Sequence, residues 1–167
     1  FTIVGSGVDP GVNTTCIGVE HWDGHYAVEF TVRNVAMTGV DTAIGGTTTD
    51  QSMLVYNCNF EGNNVWTPSF LNDNRTWNDD GIRIPGIGNC VFNNTLKGFG
   101  DTCSFAMHSG PDSSTEVRSI FFYRNDIINS CDDATEADHA LRNCGFYDNR
   151  IRNSMTFVSL DPLYGGP

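Results

Sequence analysis

A short unit recurs along this chain, and internal recurrence restricts architecture more than any local propensity does. Three copies share the pattern Asn-Cys-x-Phe: Asn57-Cys58-Asn59-Phe60, Asn89-Cys90-Val91-Phe92 and Asn143-Cys144-Gly145-Phe146. Ser119-Ile120-Phe121-Phe122 fills the slot between the last two, and Asn34-Val35-Ala36-Met37 precedes the first. The starts at 34, 57, 89, 119 and 143 are spaced by 23, 32, 30 and 24 residues. A short unit with longer variants reads as one coil of a solenoid carrying loop insertions, which gather on a binding face. Asn63, Asn125 and Asn149 stand three residues past the aromatic, with Thr95 in the remaining cysteine-bearing copy. Stacked side-chain amides and left-handed Asn corners are therefore expected.

Composition agrees with short strands and many turns. Of 167 residues 18 are glycine and only 17% are charged, and no stretch offers two clean turns of amphipathic helix. The expected fold is all-β: one domain over 1–167, with a lead-in at 1–28 and coils over 29–167. Insertions are expected at about 64–77 and 108–115.

The net charge is −11, with Lys97 the one lysine. Such a surface repels nucleic acid and anionic membranes, and no apolar run reaches the roughly 18 residues of a membrane span. The abrupt start at Phe1-Thr2-Ile3-Val4 suggests a mature or excised piece of a longer chain, secreted or displayed on a cell or virion surface. Sequons at Asn13, Asn74 and Asn93 are compatible with secretion. The six cysteines lack CxxC or Cys/His zinc spacing. On this alignment Cys58 and Cys90 share a slot in adjacent coils, which suits a disulfide; an inward ladder of free thiols is the alternative.

The chemistry-bearing residues fall in a second register. Asp41, Asp80, Asp101 and Asp133 each precede a short segment, so they would form one column through successive coils. Alternation sends Ile82, Ile84, Cys103, Phe105 and Ala137 inward and leaves Arg83, Ser104 and Glu136 outward. The segment Cys131 to His139 adds Asp132, Glu136, Asp138 and His139. Strands about 4.8 Å apart bring such acids within the separations that glycoside hydrolysis uses. The same crowding suits calcium, with Asp132, Asp133, Glu136 and Asp138 as ligands, and Asp before a strand also caps turns. No cofactor is required by this reading, and calcium is the one ion it suggests. Arg83 is a candidate base for elimination from a uronate; Arg142 could serve there or grip substrate, and His108 and His139 complete the catalytic candidates. Trp66, Phe70 and Trp77, in the longest insertion, could stack on sugar rings or fold back as a small core.

With coil length, Asn corners and the tail Asp161-Pro162-Leu163-Tyr164-Gly165-Gly166-Pro167, residues 29–167 resemble the right-handed parallel β-helix proteins of the pectin-lyase-like superfold. That resemblance implies about five or six coils. Glycoside hydrolase family 28, the polygalacturonases, is a further comparison. Asn78-Asp79-Asp80-Gly81 is similar to that family's Asn-Thr-Asp motif, Gly100-Asp101 to its Asp-Asp, and Arg150-Ile151-Arg152 to its Arg-Ile-Lys. Thr102 replaces the second acid of the pair, and Met107-His108-Ser109-Gly110 stands for Gly-His-Gly only seven residues after Asp101. The resemblance implies an extracellular module that binds or degrades polysaccharide, as hydrolase or lyase. The alternative is a non-catalytic module of a tailspike, adhesin or fibre. Further copies of itself, or chain beyond the present ends, are then additional partners.

Overall fold

The computed structural model describes residues 1–4, 15–18, 28–47, 50–64, 80–105 and 117–160. Every regular element among them is a strand. In chain order these are β1 (Thr2–Val4), β2 (Thr15–Gly18), β3 (Thr31–Arg33), β4 (Ala36–Val40), β5 (Thr42–Gly45), β6 (Leu54–Tyr56), β7 (Asn59–Gly62) and β8 (Ile82–Arg83). There follow β9 (Cys90–Phe92), β10 (Thr95–Lys97), β11 (Cys103–Ser104), β12 (Phe121–Tyr123), β13 (Asp126–Asp133), β14 (Thr135–Glu136), β15 (Gly145–Tyr147) and β16 (Arg150–Thr156).

Each strand pairs in parallel with the strand three places on, which builds three sheets. Sheet I is β1-β4-β7-β10-β13-β16, sheet II is β2-β5-β8-β11-β14 and sheet III is β3-β6-β9-β12-β15. A chain that visits three sheets in turn and returns one strand higher is a parallel β-helix, so the expected fold class holds. Each parallel pair is joined through the other two sheets instead of a helical crossover.

Three inward columns make the core. They are Met37-Phe60-Leu96-Ile127-Ile151 in sheet I, Val32-Val55-Val91-Phe122-Phe146 in sheet III, and Ile17-Ile44-Ile82-Cys103-Thr135 in sheet II. Most of these side chains are fully buried, and each large apolar one contributes about 1.5–3 kcal/mol. Phe105 links two walls by packing against Phe122 and Phe146, with ring centroids at 4.9 and 5.2 Å.

The register corrects the repeat. The coil periods are 23, 36, 31 and 24 residues, read from Arg33 to Tyr56, Cys58 to Asn94, Asn94 to Asn125, and Asn125 to Asn149. The three Asn-Cys-x-Phe copies are not equivalent. Cys58 lies at the corner between β6 and β7, Cys90 opens β9 opposite Leu54 and Phe121, and Cys144 precedes β15. Cys58 stacks instead on Asn94, whose Oδ1 accepts its N–H at 2.9 Å. The Cys58–Cys90 disulfide is therefore not formed, because Cys58 sits at the corner after sheet III whereas Cys90 lies within that sheet, and all six cysteines are free thiols.

What does recur is a sequence of apolar residue, aromatic, left-handed residue, Asn, any residue, apolar residue. Phe146-Tyr147-Asp148-Asn149-Arg150-Ile151 is one copy and Val91-Phe92-Asn93-Asn94-Thr95-Leu96 another. At the corner from sheet III to sheet I, Asn34, Asn57, Asn93, Arg124 and Asp148 all have φ between 54° and 57°. Asn is enriched in this region because its short side chain bonds locally. The residue after the corner forms an amide ladder. Asn125 Oδ1 accepts from the backbone N–H and Nδ2 of Asn94 at 3.1 and 3.0 Å, and Asn149 Oδ1 does the same for Asn125. Asn125 and Asn149 are in the ladder as expected. Asn63 is not, and donates instead to Asp41 at 3.0 Å.

Candidate functional site

The acids gather where the chain turns from sheet I into sheet II. Two local features put them there. A β-bulge in β13, between Ser130 and Asp133 against Ser154 and Thr156 of β16, inserts one residue and redirects the strand into the corner. In the coil two before it, Gly81 follows Asp80. A Cβ on Gly81 would lie 2.5 Å from the Thr102 carbonyl oxygen and 2.9 Å from the Phe99 ring, so only glycine lets the two coils close at this point.

Register then stacks the acids. Ile82, Cys103 and Thr135 are directly paired, so Asp80, Asp101 and Asp133, each two residues earlier, share one column. Asp41 is offset, because Ile44 pairs with Ile82 and Thr42 takes that position. Arg83, Ser104 and Glu136 form the adjoining outward column. Ser104 is fully buried, and its Oγ donates to Glu136 Oε2 at 2.7 Å.

Two overlapping triads result. Asp80, Asp101 and Glu136 each present a carboxylate oxygen, all within 4.8 Å of one another, and Asp101, Asp132 and Asp133 do likewise. Asp101 is common to both and is only 9% exposed. Its Oδ1 accepts the Asp133 backbone N–H at 3.1 Å. Burial, then the neighbouring charges of Glu136, Asp80 and Asp132, push its pKa from 3.8 to about 8, so at neutral pH it carries a proton. Burial is also the main cause that raises Glu136, Asp132 and Asp133. Asp80 pairs with Arg83 at 3.2 Å.

Asp138 borders this cluster, and its charge helps raise Asp133 and Glu136. Asp138 belongs to neither triad and accepts a hydrogen bond from Ser159 Oγ at 2.6 Å. Of the four acids expected as calcium ligands, Glu136 falls in one triad, Asp132 and Asp133 in the other, and Asp138 in neither. His139 is half-buried on the turn after Asp138. Arg142 is exposed on the bridge ladder Val28-Gln51-Ile87-Arg118-Arg142, a strand position removed from the acids. Asn93 is exposed at its left-handed corner. Trp66, Phe70, Trp77, His108, Asn13 and Asn74 lie outside the described residues, as do most of the two expected insertions.

An aromatic ladder escaped the sequence reading. Tyr56, Phe92, Tyr123 and Tyr147 stack on the outer face of sheet III, with centroids 4.9 to 5.0 Å apart and planes within 5°. Its signal is an aromatic directly before four of the five left-handed corner residues, Asn34 following Arg33 instead. Because the ring faces cover one another, most of the ladder offers edges to solvent; it reinforces the stack, with each pair contributing about 0.5–1.5 kcal/mol.

The stacked strands define the class of this chain as a parallel β-helix with an acidic corner. Comparisons with protein-family models, curated proteins and solved structures return no match to it. The polygalacturonase motifs are moreover divided by the fold. Asp80 and Asp101 meet, whereas Arg150 and Arg152 grip Asp126 on the outer face of sheet I, with Nη2 atoms at 2.6 and 3.1 Å from Oδ2. These hydrogen bonds, led by Arg150, hold the Asp126 carboxyl below its usual range.

Proposed function

We propose that this β-helix is an extracellular module that binds polysaccharide along its acidic corner and hydrolyses it there. The observation that carries this reading is the buried Asp101 carboxyl within 4.8 Å of two further carboxyl groups, where burial raises its pKa to about 8. A neutral carboxylic acid next to a carboxylate is the pairing that glycoside hydrolysis needs. Asp101 would give its proton to the glycosidic oxygen as the C–O bond breaks, while Glu136, oriented by Ser104, attacks the anomeric carbon. Water, deprotonated by the Asp101 carboxylate, would then release the sugar from Glu136. Oxygens within 4.8 Å favour this retaining course, since inversion needs carboxyls about 6.5–9.5 Å apart. Asp80, fixed by Arg83, adds negative charge that stabilises a developing oxocarbenium ion.

Reducing-end release from a panel of neutral and uronate polysaccharides tests this across pH. Activity is expected to fall as pH rises through about 8, where Asp101 loses its proton. Asp101→Asn should lower kcat by about 100-fold or more. Unchanged activity in Asp101→Asn would exclude the mechanism.

A second reading is favoured by the compactness of the triads. Oxygens no more than 4.8 Å apart can share one calcium ion, whose ligands lie at about 2.3–2.6 Å. Calcium would have to displace the Asp101 proton, so its affinity should rise with pH. On this reading 1 mM calcium raises the melting temperature at about pH 9, EDTA reverses the rise and Asp101→Asn abolishes it. A melting temperature indifferent to both reagents would eliminate the ion.

A further inference from the structure

A cleft of about 230 Å³ opens at the same corner, on the sheet I side, lined by Glu61, Asn63, Asn64, Lys97 and Asn129. Its floor is backbone at Gly62 and Gly98. A Cβ on Gly62 would lie 2.3 Å from the Gly98 carbonyl oxygen and 2.7 Å from the Phe99 ring, so the floor admits no side chain there. The lining of the cleft is continuous along the chain with the acidic corner. Gly98 leads to Asp101 and Asn129 to Asp132 along the chain, and Asn63 Nδ2 donates to Asp41.

Hydrogen-bonding capacity is left over inside it. Asn129 Oδ1 accepts from Asn153 Nδ2 at 3.1 Å, so its own Nδ2 remains a donor. Asn63 engages its Nδ2 with Asp41, so its Oδ1 remains an acceptor. Lys97 and Glu61 neutralise each other across the rim. An amide donor, an amide acceptor and a compensated ion pair match a ligand rich in hydroxyls and without net charge. The volume falls below the roughly 300–1,000 Å³ typical of larger ligands and suits a single ring. The surrounding acids and a net charge of −11 disfavour an anionic ring.

We infer that this cleft is a subsite for one uncharged pyranose unit of the polysaccharide, next to the unit cleaved at Asp101. The inference rests on the reading above and narrows it to chains with neutral sugars. Calorimetric titration of the whole protein with cellohexaose, xylohexaose, mannohexaose and hexagalacturonate tests it. One or more neutral hexasaccharides should bind, and hexagalacturonate should not. Asn129→Asp keeps an acceptor for Asn153 and tolerates the left-handed backbone at φ 59°, but removes the donor. It should weaken that affinity about tenfold. Side-chain amide NMR signals of Asn63 and Asn129 in the unmutated protein should shift on saturation, which needs no variant to fold. Binding that leaves both signals and the Asn129→Asp affinity unchanged, or binding of hexagalacturonate alone, overturns the subsite while leaving cleavage at Asp101 intact. If Asn129 responds but Asp101→Asn cleaves normally, the subsite stands and the catalytic reading falls. Failure of every oligosaccharide to bind removes both.

Discussion

Asp101 is the residue on which the acidic corner turns. Its pKa in the folded chain, about 8, lies above the ordinary 3.8, so folding retains a proton that the unfolded chain releases. The stability from this site is therefore full below about pH 4 and is lost as pH rises through about 8. Glu136, Asp132 and Asp133 are displaced in the same direction, and their contributions fade with rising pH too. Asp126 acts oppositely, since its lowered pKa stabilises the fold above its ordinary value and that contribution disappears only in acid. Thermal melts should accordingly show stability falling between about pH 5 and 9. Asp101→Asn should flatten that fall, because an amide holds the neutral form at every pH. An equally steep fall in the variant would mean that the site does not hold the proton.

At the scale of elements, the amide ladder fixes how one coil sits on the next. Asn125 is 2% exposed and satisfies the Asn94 N–H, the Asn94 side chain and the Val91 carbonyl, the last at 3.0 Å. Asn125→Ala leaves the Asn94 N–H and the Val91 carbonyl buried without partners, at about 1–3 kcal/mol each, and takes from Asn94 Nδ2 one of its two hydrogen bonds, so a total loss of about 3 kcal/mol or more is expected from urea unfolding. A loss below about 1 kcal/mol would show that water or a shifted backbone replaces the ladder. These ladders also explain what the sequence made legible. Inward Ile82, Ile84, Cys103, Phe105 and Ala137 follow from alternation alone, and all are buried. The column of Asp80, Asp101 and Asp133 follows from counting back from those strands. The coil boundaries were harder to read, because Asn-Cys-x-Phe arises by coincidence in three different registers. The physical invariant is the left-handed residue, with an aromatic before it in every corner but that of Asn34, and Arg124 and Asp148 fill it without resembling Asn93. The β13 bulge, which brings Asp132 beside Asp101, has no residue signature at all.

For the whole molecule, the acidic corner is a product of stacking. No single coil holds more than part of it: Asp80, Asp101 and the Asp132 to Glu136 segment come from three successive coils. Desolvation by the core below and mutual repulsion in a chain of net charge −11 together put a proton where isolated Asp would have none. The claim that this stack creates a neutral acid next to charged carboxylates is tested most directly by NMR titration of the Asp101 side-chain carboxyl carbon in calcium-free buffer. The account predicts a midpoint near 8. A midpoint near 4, the value of an ordinary solvated aspartate, would contradict it and leave the corner as a set of surface acids.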